Sequence, residues 1–68
     1  MAPKTYTLYL VDTPDAAPGS TFEPVLCNSD AEAMAAGARL IAGHKDYAAV
    51  LVYFGAEELF RIRAPKRS

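Results

Sequence analysis

The apolar pattern along this chain predicts an α+β domain of two layers in ββαββ order, with one helix packed on a mostly antiparallel four-stranded sheet. Three observations carry the prediction. "TYTLYLV" (Thr5 to Val11) alternates and is rich in β-branched and aromatic residues. "NSDAEAMAAGARLIAGH" (Asn28 to His44) is the only stretch with a helical period and a marked start. "YAAVLVYF" and "ELFRIR" are apolar extended runs joined through a glycine turn.

In the first strand, Tyr6, Leu8 and Leu10 point one way and Thr5, Thr7, Tyr9 and Val11 the other. The loop "DTPDAAPGS" follows, its Pro14, Pro18 and Gly19 hostile to regular structure. "TFEPVLC" (Thr21 to Cys27) is again extended. Pro24 cannot donate to a ladder, which makes this an edge strand.

The helix spans Asp30 to Ala42. Ser29 and Glu32 form a capping box, and Asp30 and Glu32 place negative charge where the helix dipole favours it. Gly43 stands where a left-handed residue closes a helix. The inward stripe is Ala33, Met34, Gly37, Leu40 and Ile41, with Gly37 at its centre. A missing side chain there brings the helix axis close to the sheet, so the strands must supply the bulk.

"YAAVLVYF" (Tyr47 to Phe54) reads as a central strand with both faces covered, and Glu58 to Arg63 as the fourth strand. Which side chains face the helix depends on the last turn. A three-residue loop of Gly55, Ala56 and Glu57 sets Val52 opposite Phe60 and Val50 opposite Ile62. Val50, Val52, Phe54, Phe60 and Ile62 then lie under the helix with Leu8 and Leu10. The outer face carries Thr7, Tyr9, Tyr47, Leu51, Tyr53, Leu59, Arg61 and Arg63. A two-residue loop reverses the parity. Either way one helix leaves the second sheet face open, apolar and contiguous.

At 68 residues the chain is one domain, read as residues 1–63 followed by a basic, disordered tail over 64–68. A core of this size supplies about 3–5 kcal/mol, which small domains usually supplement. Cys27 is the single cysteine and His44 the single histidine, so an internal disulfide is excluded and a structural zinc, which wants four N or S ligands, is nearly so. Self-association is the supplement that remains, and a homodimer is expected. No cofactor or metal is expected. The net charge of −1 hides an asymmetry: all 8 acidic residues precede Phe60, while Arg61, Arg63, Lys66 and Arg67 follow it. A nucleic-acid binder would show a broader basic footprint. No stretch has the length of a spanning helix or the form of a signal peptide, and a cytoplasmic location is expected.

An open apolar face beside arginines has the composition of an interface centre. The candidate interaction surface is Tyr9, Tyr47, Leu51, Tyr53, Leu59, Arg61 and Arg63. Aspartate at Leu51 or Tyr53 is expected to disrupt association and spare the fold. The same tyrosines could stack nucleic-acid bases while Arg61, Arg63 and the tail meet phosphate. No catalytic residue is assigned. His44 with Asp46 has no nucleophile beside it in sequence, Cys27 has no CxxC partner, and Glu57 and Glu58 lie at a hairpin.

The runs "YTLYLVD", "NSDAEAMAAGARLI" and "AAVLVYFGAEELFRI" resemble short bacterial proteins of unknown function with the same strand–strand–helix–strand–strand order. Their helices often open with an Asp-x-Glu-Ala segment. Several phage anti-CRISPR proteins are similar in size and layout. That resemblance implies a non-catalytic protein that masks a partner's surface, and it transfers no site residue.

Overall fold

A computed structural model describes residues 3–44 and 46–64. Its elements are β1 (Lys4–Val11), β2 (Phe22–Cys27), α1 (Asp30–Gly43), β3 (Ala49–Phe54) and β4 (Glu57–Arg63). The strands form one antiparallel sheet in the order β2-β1-β3-β4, with α1 across one face. The chain thus has the two-layer ββαββ architecture, with β2 and β4 at the edges.

The β2 edge position follows from its proline. Leu10 N–H donates to the Thr21 carbonyl at 3.0 Å, and the β1–β2 register sets Tyr9 opposite Phe22. Antiparallel ladders alternate bonded and non-bonded pairs. Glu23, Val25 and Cys27 therefore turn their backbone groups toward β1, while Phe22, Pro24 and Leu26 turn theirs outward. The missing N–H of Pro24 falls where no ladder bond is lost.

Ser29 caps α1, its Oγ accepting from Glu32 N–H at 3.3 Å. Glu32 Oε1 accepts from Asn28 N–H at 2.9 Å, one residue before the cap. The helix end differs from expectation. α1 runs through Gly43, and His44 closes it with φ −121°, donating its N–H to the Ile41 carbonyl. Neither Gly43 nor His44 is left-handed; among the described residues the one with positive φ is Gly55.

The buried stripe of α1 is Ala33, Gly37 and Ile41, flanked by half-buried Ala36 and Leu40. Met34, expected inward, is 42% exposed because the sheet takes the Ala36–Leu40 flank instead. Gly37 lies close against the strands. A Cβ there would lie 3.0 Å from Ile62 Cδ1, 3.2 Å from Val52 Cγ2 and 3.3 Å from Val50 Cγ1. The strands fill the space that the helix leaves. Tyr6 lies in this core, fully buried, its hydroxyl donating to Asp30 Oδ1 at 2.6 Å. That bond ties the first turn of α1 to the centre of β1.

The β3–β4 hairpin reaches the expected facing by a different route. Phe54 pairs with Glu57, so the turn has two central residues, Gly55 and Ala56, with positive φ at Gly55 alone (+65°). This is the glycine-first pattern of a type II′ turn. Such a turn by itself reverses the parity. A β-bulge restores it: Tyr53 pairs with Glu58 and Val52 with Phe60, which leaves Leu59 without a partner. Val50 still lies opposite Ile62, and both face α1.

β1, β2 and β4 each start one residue from the expected position, and two boundaries differ in ways that bear on the surface and the tail. β3 begins at Ala49, not Tyr47. Ala64 belongs to the folded body, since its N–H donates to the Ala48 carbonyl at 2.8 Å and its side chain packs on the core. The rest of the expected tail, residues 65–68, lies outside the described residues.

Candidate interaction surface

The outer sheet face is divided, and its open area is smaller than the sequence suggests. Val11, Ala49 and Leu51 form a second small core there, packed by Tyr9, Tyr53 and Ala16. Leu51 is 0% exposed. Its cover is the β1–β2 loop, which folds back over the sheet. Arg61, opposite Leu51 in the ladder, holds that loop in place. Its Nη1 donates to the Pro14 carbonyl at 2.7 Å and to the Ala16 carbonyl at 2.9 Å. Its Nε and Nη2 donate to Glu58 at 3.2 and 3.1 Å. The planar fork of a guanidinium suits this divided use.

The face stays open over β1 and β2. Thr5, Thr7 and Tyr9 lie opposite Leu26, Pro24 and Phe22, on the side away from α1. Phe22 is 55% and Leu26 70% exposed. The Tyr9 ring lies 5.6 Å from Phe22 and 5.2 Å, edge-on, from Tyr53. Tyr53 donates its hydroxyl to Glu58 Oε1 at 3.3 Å. Burial first, and then the Glu58 charge, push the Tyr53 phenol up, so it stays neutral. Tyr9, Tyr53, Glu58 and Arg61 thus form a chain of contacts from the open half of the face to the covered half.

Of the expected surface residues, the structure brings Tyr9, Tyr53 and Arg61 together. Leu51 lies among them but beneath the surface. Arg63 is exposed on the same face, opposite Ala49 and away from the open half. Two residues are elsewhere. The bulge turns Leu59 to the helix-side core. Tyr47 precedes β3 and packs on that same core, its ring 6.1 Å from His44. Aspartate at Leu51 would bury an unpaired carboxylate, so it cannot spare the fold. Phe22 and Leu26 were missed, although Phe22, Pro24 and Leu26 share one face by simple alternation.

On the helix side, a groove of about 340 Å³ runs between α1 and β2, with Leu8, Val25, Ala36 and Leu40 in its apolar lining and Glu23, Arg39 and His44 also bordering it. His44 is exposed, and among the described residues its side chain makes no hydrogen bond. The Cys27 thiol is buried, and that burial pushes its pKa up, away from the reactive thiolate. Among the described residues no three His, Cys, Asp or Glu side chains gather as metal ligands. No helix among them is long and apolar enough to cross a membrane.

Comparison with protein-family models, with curated proteins and with solved structures finds no match to this chain.

Proposed function

We propose that this chain is a small, non-catalytic protein-binding module of the cytoplasm that acts as a homodimer. The observation that supports this reading is the exposure of Phe22 and Leu26, two large apolar side chains on one sheet face. These two expose on the order of 200 Å² of mostly apolar surface. With Pro24, Tyr9, Tyr53 and the two threonines, the patch approaches the size that marks interaction sites on monomers. A stable interface takes about 800 Å² from each partner, so association through this patch alone is weak and concentration-dependent.

The nucleic-acid reading has less support. A stacking platform needs cations beside its aromatic rings. Arg61 is engaged with Glu58 and two backbone carbonyls, and Arg63 lies away from the tyrosines. The masking-inhibitor reading uses the same patch and differs only in what covers it. Size-exclusion chromatography with light scattering, run over a range of concentrations, tests the choice. A rise from one chain mass to two with concentration is expected. A single-chain mass at every concentration would overturn the homodimer reading and make the patch the bait for a foreign protein.

A further inference from the structure

We infer that the β1–β2 loop, residues 12–20, is a strap that lifts from the outer sheet face while the rest of the fold stays intact, and that Arg61 is its latch. This device goes beyond the homodimer reading and does not rest on it.

The loop is attached at a single point. Of residues 12–20 only Pro14 and Ala16 are even half-buried, and these are the two residues whose carbonyls Arg61 holds. Among the described residues no other hydrogen bond ties the segment to the rest of the fold. Its one remaining bond, from Ala16 N–H to the Thr13 carbonyl, lies within the loop. Ala16 is also the one side chain of the segment packed on Val11, Ala49 and Leu51. Asp12, Thr13, Gly19 and Ser20 border a cavity of about 500 Å³, open space at the two ends of the loop. Few buried apolar contacts and few hydrogen bonds are the marks of a segment that opens locally, without the whole molecule.

The latch stays with the sheet when the loop leaves. Arg61 lies in β4, opposite Leu51, with its Nε and Nη2 bonded to Glu58, and Glu58 accepts from the Tyr53 hydroxyl as well. These contacts fix the guanidinium plane and leave Nη1 to the loop. The Arg61 side chain is already 27% exposed, so on lifting Nη1 passes to water and no buried charge is stranded. The loop regains its conformational freedom against the loss of its cover over Leu51.

Lifting changes the extent of the apolar face. Leu51 pairs with Tyr9 in the β1–β3 ladder, and the Tyr9 ring lies against Phe22. Side chains freed under the strap are therefore continuous with the open patch. Held down, the loop is an autoinhibitory contact that confines that patch to β1 and β2; lifted, it extends the patch across β3.

Two thiols of matched burial test the strap. Cys27 lies in the helix-side core and Val11 in the loop-covered core, each 5% exposed. Val11→Cys changes side-chain volume little. Labelling by an aromatic disulfide reagent, each rate referred to the same thiol in the urea-unfolded chain, reports the opening of each core. The thiol at position 11 is expected to react at least about tenfold faster than Cys27. Low urea should barely move its rate, because lifting a loop exposes little surface. Adding Arg61→Ala should speed it about tenfold, in keeping with two lost hydrogen bonds. Ala49→Cys, at a 0% exposed position in the same core, gives the same readout where circular dichroism shows Val11→Cys misfolded. A rate at position 11 that climbs with urea as steeply as global unfolding would overturn the strap. A fast rate that Arg61→Ala leaves unchanged would overturn the latch.

Discussion

The two faces of this sheet carry similar apolar side chains but are covered by different means. Toward α1, Val50, Val52 and Ile62 meet a helix made of small residues, and Gly37 lets that helix come within van der Waals distance. On the other side Val11, Ala49 and Leu51 are covered by an irregular loop that one arginine side chain holds down. Regular structure is not needed to bury a strand. A loop suffices if its carbonyls find a donor, and Arg61 provides one for both Pro14 and Ala16. Where the loop ends, at Phe22 and Leu26, the apolar surface is exposed.

Substitutions can break that comparison at several points. The largest effect is expected at Leu51, which is fully buried on the loop-covered side. Leu51→Ala should cost about 2–5 kcal/mol, as a helix-side core substitution would. If urea unfolding shows a loss under about 1 kcal/mol, the loop is not closing a true core. Next is Gly37→Val. Overpacking at the helix crossing should cost about 2 kcal/mol, and a variant as stable as the parent would mean that α1 stands farther off.

Arg61→Ala removes the loop's two carbonyl bonds and the Glu58 pair. It should cost about 1–2 kcal/mol, and its diagnostic is local. Amides around residues 12–20 should exchange faster while those of α1 do not change. The last effect is a pH dependence confined to the alkaline range, and it concerns Tyr6. Its hydrogen bond to the Asp30 carboxylate, together with burial, pushes its phenol up to about 12. This folded-state value lies above the unfolded one near 10. The contribution to stability is therefore complete below that unfolded value and is lost as pH rises through the folded one. Alkaline unfolding followed by tyrosinate absorbance should show a loss between these values, and Tyr6→Phe should flatten it.

What the sequence reveals unaided is local or periodic. Alternation in "TYTLYLV" places Tyr6, Leu8 and Leu10 on one face. Ser29 and Glu32 start the helix where they should, because capping depends on residues three positions apart. Pro24 marks an edge because it has no N–H to donate. The glycine at the centre of the helix stripe foretells the close approach that Gly37 makes. The ββαββ order follows from these signals together.

Other features depend on groups far apart in the chain, and tertiary structure alone decides them. The bulge at Leu59 is one. A two-residue turn and an added residue cancel in parity, so Val50 and Val52 face as a three-residue loop would set them, while Leu59 itself goes to the other side. Tyr47 falls short of the strand and joins the helix-side core. Most of all, no local pattern announces that Arg61 reaches back to carbonyls at Pro14 and Ala16, 47 and 45 residues away. That contact turns half of an apparently bare face into core and moves the exposed patch to Phe22 and Leu26. Periodicity states which way a side chain points; only packing across the fold states whether anything lies over it.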